Sequence, residues 1–140
     1  MNNENNGKLI LLDLGFTKFS FNRRQIVNSD NAQISLSVKY DRKIDDDKEV
    51  KVTIETALKG DNDSYDLSLT TVGTFKIDFP NSSKEFIEII MQRNTVAIMF
   101  PYIRSQITLL TSQPGFKPIV LQPINVNELI ENEKLNQQKE

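Results

Sequence analysis

Residues Asn94–Asn127, NTVAIMFPYIRSQITLLTSQPGFKPIVLQPINVN, decide how the rest of the chain is read. From Val96 to Leu110 apolar side chains recur at helical spacing, with Phe100, Ile103, Ile107 and Leu110 on one stripe and Tyr102 and Leu109 off it. A surface helix of a small domain usually keeps one apolar stripe and an opposite polar face. Here the clearly wet side is limited to Arg104, Ser105, Gln106, Thr108 and Thr111, so the spacing predicts a helix with two dry contacts: its own sheet and something else. Pro114 and Gly115 stop the helix. A crossover follows in which Phe116, Ile119, Val120, Leu121 and Ile124 alternate with Pro118 and Pro123. A connection this apolar is expected either to pack down or to offer a sticky surface to something extended.

Upstream, the period changes from helical to alternating. Ile10, Leu12, Leu14 and Phe16 share one parity, whereas Phe19 and Phe21 continue on the other, which predicts a strand with a bulge near residues 15–17. Ala32, Ile34, Leu36, Val38 and Tyr40 alternate with polar residues, as do Val50, Val52, Ile54, Thr56 and Leu58. Tyr65, Leu67, Leu69, Thr71, Phe75, Ile77 and Phe79 form a fourth such series, with Gly73 in phase where a bend or close contact belongs. Polar connections join all four, so an antiparallel meander is expected, with a cover on one face. Pro80 ends the fourth strand, and Ser82 with Glu85 forms a capping box that opens a short helix. Asn94 is expected to break or kink it before the long helix at 95–111, which Pro101 should kink in turn. A last helix is expected from Asn127. The fold class is α+β, a four-stranded antiparallel sheet followed by C-terminal helices that cover one face. The reading is a single domain, 1–140, with polar tails at 1–7 and 136–140.

Composition narrows the chemistry. The chain has 140 residues, a net charge of −2, no cysteine and no histidine. A balance this neutral gives no basic footprint for nucleic acid. Without cysteine there are no disulfides or thiolate sites, and without histidine the commonest general base and zinc ligand are missing. Asp45-Asp46-Asp47 and Asp61-Asn62-Asp63 lack the pattern of a calcium loop and read as solvated hairpin tips, and Arg23-Arg24 as a solvated strand end. No enzyme activity, metal or cofactor is therefore expected. Nor does any window reach the ~18 apolar residues of a membrane span, and the first residues lack a basic then apolar signal, so a cytoplasmic location is expected.

The block Met99-Phe100-Pro101-Tyr102-Ile103-Arg104, followed by Gly115-Phe116-Lys117-Pro118 and Leu121-Gln122-Pro123-Ile124-Asn125-Val126, resembles the SecB family of bacterial export chaperones. With the strands, the resemblance spans roughly residues 10–130. It implies a homo-oligomer, a dimer of dimers with the long helix between sheets, whose grooves hold unfolded polypeptide clients without ATP in protein export and translocation. The interface residues expected are Val96, Phe100, Ile103, Ile107 and Leu110. The client groove is expected at Phe116, Val120, Leu121 and Ile124, with Phe19, Phe21 and Phe75 beneath, although core packing explains each of these taken singly.

The family also implies acidic positions on the first and fourth strands for handing clients to the translocase motor SecA. Lys18, Asn22 and Ser68 stand there instead, which puts that handover in question. Two alternatives remain open: a dedicated chaperone of a toxin–antitoxin system, or a specific interaction module without general holdase activity.

Overall fold

The computed structural model describes residues 7–24, 32–42 and 48–123. Four strands, β1 (Lys8–Arg23), β2 (Ala32–Arg42), β3 (Glu49–Gly60) and β4 (Tyr65–Asp78), precede one helix, α1 (Lys84–Thr111). The expected helix at 127–135, the tails at 1–6 and 136–140 and the Asp45–Asp47 tip lie outside the described residues.

All strand pairs are antiparallel, but the spatial order is β1-β4-β3-β2, which corrects the simple meander. Only β2, β3 and β4 follow one another through hairpins; β1 lies beside β4, the Greek-key arrangement. The β3–β4 hairpin turns through a single 3-10 turn at Asp61–Asp63, where Asn62 and Asp63 adopt positive φ of 54° and 59°. Asn and Asp tolerate that left-handed conformation better than other side chains do.

β4 is the spine of the sheet. Its inward series Tyr65, Leu67, Leu69, Thr71, Phe75 and Ile77 is buried, as are Val50, Val52, Ile54 and Leu58 of β3. Gly73, within that series, is a point of close approach: a Cβ there would lie 3.1 Å from Met99 Sδ and 3.2 Å from the Phe75 ring. The opposite face stays wet, with Lys51, Glu55, Lys59 and Lys76 exposed along it, the one-sided pattern of an antiparallel sheet.

β1 is one strand with two bulges, not one. Its register with β4 slips between Leu11 and Asp13 and again between Phe16 and Lys18. Each slip reverses the alternation, so Leu9 and Leu11, then Leu14 and Phe16, then Phe21 pack on the core. Ile10 and Leu12, expected to point inward, are exposed. The aliphatic run Leu9-Ile10-Leu11-Leu12 has no phase of its own, and pairing with β4 supplies it.

The two expected helices are one. Ser83, not Ser82, caps α1, its hydroxyl accepting from Phe86 N at 3.1 Å. The helix then runs without interruption through Asn94 and Pro101. Met91, Thr95, Met99, Ile103, Ile107 and Thr111 are all buried. They stand four apart, and a row with that spacing is inclined to the helix axis. The inward stripe therefore winds around α1 as it crosses the sheet, which explains why apolar residues occur on every side of the helix.

Candidate functional site

The crossover after α1 is attached to the molecule in an unusual way. Pro118 and Pro123 have no N–H to donate, and no ladder hydrogen bond joins residues 117–123 to the described strands. Side chains hold it instead. Arg104 Nε donates to the Leu121 carbonyl at 3.0 Å, and Thr108 Oγ1 donates to the Ile119 carbonyl at 2.7 Å. The Thr111 hydroxyl accepts from Ile119 N at 2.8 Å while donating to the Ile107 carbonyl at 2.8 Å. Arg104, Thr108 and Thr111 thus face the crossover, which corrects the sequence expectation that they mark the wet side of the helix. Their spacing of four and three along one helix, opposite a proline-rich segment short of backbone partners, was the available signal.

The root of this strap is fixed by an aromatic knot. Phe116 is 7% exposed and meets Phe21 and Tyr65 edge-on, at centroid distances of 5.2 Å and 5.3 Å. Arg23 lies 5.2 Å above the Phe116 ring, and its guanidinium donates to the carbonyls of Pro114 at 3.2 Å and Gly115 at 2.5 Å. Gly115 has φ of +74°, a conformation that suits glycine and turns the chain away from the helix. Arg24 pairs with Asp66 across the strands and donates to the Asp63 carbonyl at 3.1 Å. The two arginines are therefore structural clamps, not a solvated strand end.

A cavity flanks the strap on each side. One, of about 430 Å³, lies between it and the outer surface of α1, lined by Pro101, Arg104, Ser105, Thr108, Val120 and Leu121. The other, also about 430 Å³, lies on the sheet side between the strap, Ala32 at the start of β2, and Tyr65 at the start of β4. Val120, 68% exposed, and Leu121 border both.

Of the residues expected in a client groove, Val120 and Leu121 line the cavities. Phe116 and Phe21 instead form the knot that anchors the strap. Phe75 is fully buried in the core, which removes it from any groove surface: its parity on β4 places it beneath α1. Phe19 lines neither cavity. It shares a face with Phe16, whose ring centroid is 5.9 Å away, and is 50% exposed. Ile124 is outside the described residues.

The expected interface residues need a similar correction. Val96, Phe100, Ile103 and Ile107 are buried within the protomer itself, and Leu110 is half-buried against the same core. Packing against the chain's own sheet leaves those four no surface to offer another subunit. The apolar residues that α1 turns outward are Phe86, Ile89, Tyr102 and Leu109, the last 64% exposed. On the wet face of the sheet, Lys18, Asn22 and Ser68 pair with Thr70, Asp66 and Ser20. Asp66, the acid in this group, is already bound by Arg24 and Asn22.

Among the described residues no three potential metal-ligating side chains cluster, and no helix is long and apolar enough to cross a membrane. A four-stranded antiparallel sheet followed by one long helix is a fold this chain shares with a SecB-like chaperone. The solved structure of the Mycobacterium tuberculosis Rv1957 SecB-like chaperone, in complex with a ChAD peptide from the HigA1 antitoxin, shares this fold with a TM-score of 0.70 at 14% identity, covering 84% of this chain and 88% of that one.

The model of the SecB family, preprotein translocase subunit SecB, matches residues 11–138. A protein-export protein SecB of Magnetococcus marinus is 31% identical over 122 residues, covering 84% of this chain and 76% of that protein. Another, from Methylobacillus flagellatus, is 33% identical over 92 residues, covering 65% of this chain and 57% of its own. An uncharacterized protein of Methanocaldococcus jannaschii, MJ0357, is 35% identical over 68 residues, covering 47% and 41%. The chain belongs to the SecB family of protein-export chaperones.

Proposed function

We propose that this protein is an ATP-independent holdase that binds non-native polypeptide segments along the strap, in the cytoplasm, and acts through contact alone. The observation that carries this reading is how the strap is attached. Its main chain is held by Arg104, Thr108 and Thr111 along one side, which leaves Val120 outward and a cavity of mixed polar and apolar lining on either flank. Unfolded chains share no sequence, but all present apolar side chains on an extended backbone, and such a trough accepts both. The outward Ile89, Tyr102 and Leu109 of α1, with Ile10, Leu12 and Phe19 of β1, support assembly with sister subunits as a dimer of dimers.

The test follows light scattering from a refolding, aggregation-prone client. Suppression at about one assembled oligomer per client is expected, and its absence refutes the holdase. A second reading, a chaperone dedicated to one toxin–antitoxin partner, is favoured by the antitoxin peptide held by the fold relative. Competition separates the two: a general holdase exchanges one unfolded peptide for another, whereas a dedicated one does not.

A further inference from the structure

The strap carries its apolar residues in the alternating pattern of an extended chain. Ile119 and Leu121 pack against the core, while Val120 between them is exposed. Those two side chains seat a segment that is otherwise flanked on both sides by a cavity of about 430 Å³. The root is held more firmly. Arg23 donates to the carbonyls of Pro114 and Gly115, Phe116 is buried in the aromatic knot, and Phe116 N donates to the Gln113 carbonyl at 3.1 Å. Displacement of the strap therefore begins beyond Phe116, at Lys117.

The bonds between the strap and α1 can be given up at little cost to the helix. Thr108 Oγ1 donates to the Ile119 carbonyl at 2.7 Å, and the Arg104 carbonyl, one turn back, lies 3.2 Å from the same hydroxyl. Thr111 Oγ1 already donates to the Ile107 carbonyl at 2.8 Å while it accepts from Ile119 N. When the strap leaves, both hydroxyls keep an acceptor within α1, and the half-buried Arg104 turns to water. A strand ladder has no such reserve, because parting two strands strands donors and acceptors on both.

Resting on the holdase reading, we infer that the strap is an autoinhibitory surrogate for the client. At rest Ile119 and Leu121 occupy the apolar positions on the core that a client's side chains take, and the client gains them by displacing residues 117–123 from α1. The exchange leaves the core covered throughout, by the strap or by the guest. It accepts any extended segment with apolar residues two apart, the spacing of Ile119 and Leu121. Strap and guest compete, so a latch that keeps the open form scarce weakens client binding by the same factor.

The experiment loosens and then locks the strap in the full chain, with reduced and alkylated α-lactalbumin, a permanently unfolded chain, as the labelled client. Thr108→Val and, separately, Thr111→Val each remove a bond that holds the strap shut. Each should tighten client binding about five- to thirtyfold by raising the open fraction. Locking uses Ser105→Cys with Val120→Cys, two exposed positions on the helix-side cavity of a chain that has no other cysteine, joined by a short bis-methanethiosulfonate linker. The linked form should bind about tenfold more weakly than the same double variant unlinked, and reductant should restore it. Loosened variants that bind unchanged or more weakly, or a linked form that binds as well as its unlinked parent, would overturn the inference while leaving the holdase reading intact. If neither the unmodified chain nor any variant binds the client, the holdase reading itself fails, and this inference with it.

Discussion

β4 and the strap are both apolar, both carry a phenylalanine buried among neighbours, and both lie close to α1, yet they are held by different means. β4 forms hydrogen-bond ladders to β1 on one edge and to β3 on the other, so its main chain is satisfied before any side chain contributes. The strap borrows its main-chain bonds from Arg104, Thr108, Thr111 and Arg23. Apolar area on a doubly laddered strand becomes core. The same chemistry on a segment bonded along one side leaves a face to which another chain can bind. The difference therefore lies less in hydrophobicity than in where each backbone finds its partners.

The comparison fails if the two regions respond alike to substitution. Phe75→Ala should be the most damaging, costing about 3–5 kcal/mol in denaturant unfolding, because a fully buried ring leaves a cavity that the sheet and α1 cannot close. Thr111→Val keeps the shape but orphans Ile119 N–H, and should cost about 1–2 kcal/mol, with faster hydrogen exchange at Ile119 and little change in β4. Unchanged exchange at Ile119 would mean that something other than the helix hydroxyls retains the strap. Val120→Ser should shift stability by less than about 0.5 kcal/mol, since the side chain is largely exposed, while reducing suppression of client aggregation.

The smallest effect concerns pH. The Arg24 hydrogen bond, with help from Asn22, holds the Asp66 carboxyl below its ordinary 3.8, so its contribution is present above that value and lost as pH falls through the lowered one. Asp66→Asn should flatten the acid side of the stability profile slightly, because the pair is open to water.

Much of the architecture was legible in the one-dimensional pattern. Alternation located β2, β3 and β4, Gly73 marked a close contact that Met99 makes, and Pro114-Gly115 ended the helix where the chain does. The placement of β1 beside β4 was not legible, because strand order depends on which edge the first strand reaches, and no residue type records that. Nor was the phase of Leu9–Leu12, four aliphatics in a row. The continuity of α1 was missed for another reason: Asn94 and Pro101 weigh against helix locally, but burial of the row from Met91 to Thr111 outweighs them.

The site was half legible. Proline and apolar content singled out the crossover, whereas the anchoring role of Arg23, Arg104, Thr108 and Thr111 required three dimensions.

The sequence by itself determined that this chain has a one-sided sheet, a long helix apolar on every side, a greasy proline-bearing crossover and no histidine or cysteine, because periodicity and composition are local properties. Only the tertiary structure decided which apolar residues are core and which remain available. Val96, Phe100, Ile103, Ile107 and Phe75 went inside, while Val120, Leu109, Tyr102 and Phe19 stayed out. Burial depends on which surfaces meet across the sheet, and hydrogen-bond partners far apart in the chain fix that meeting.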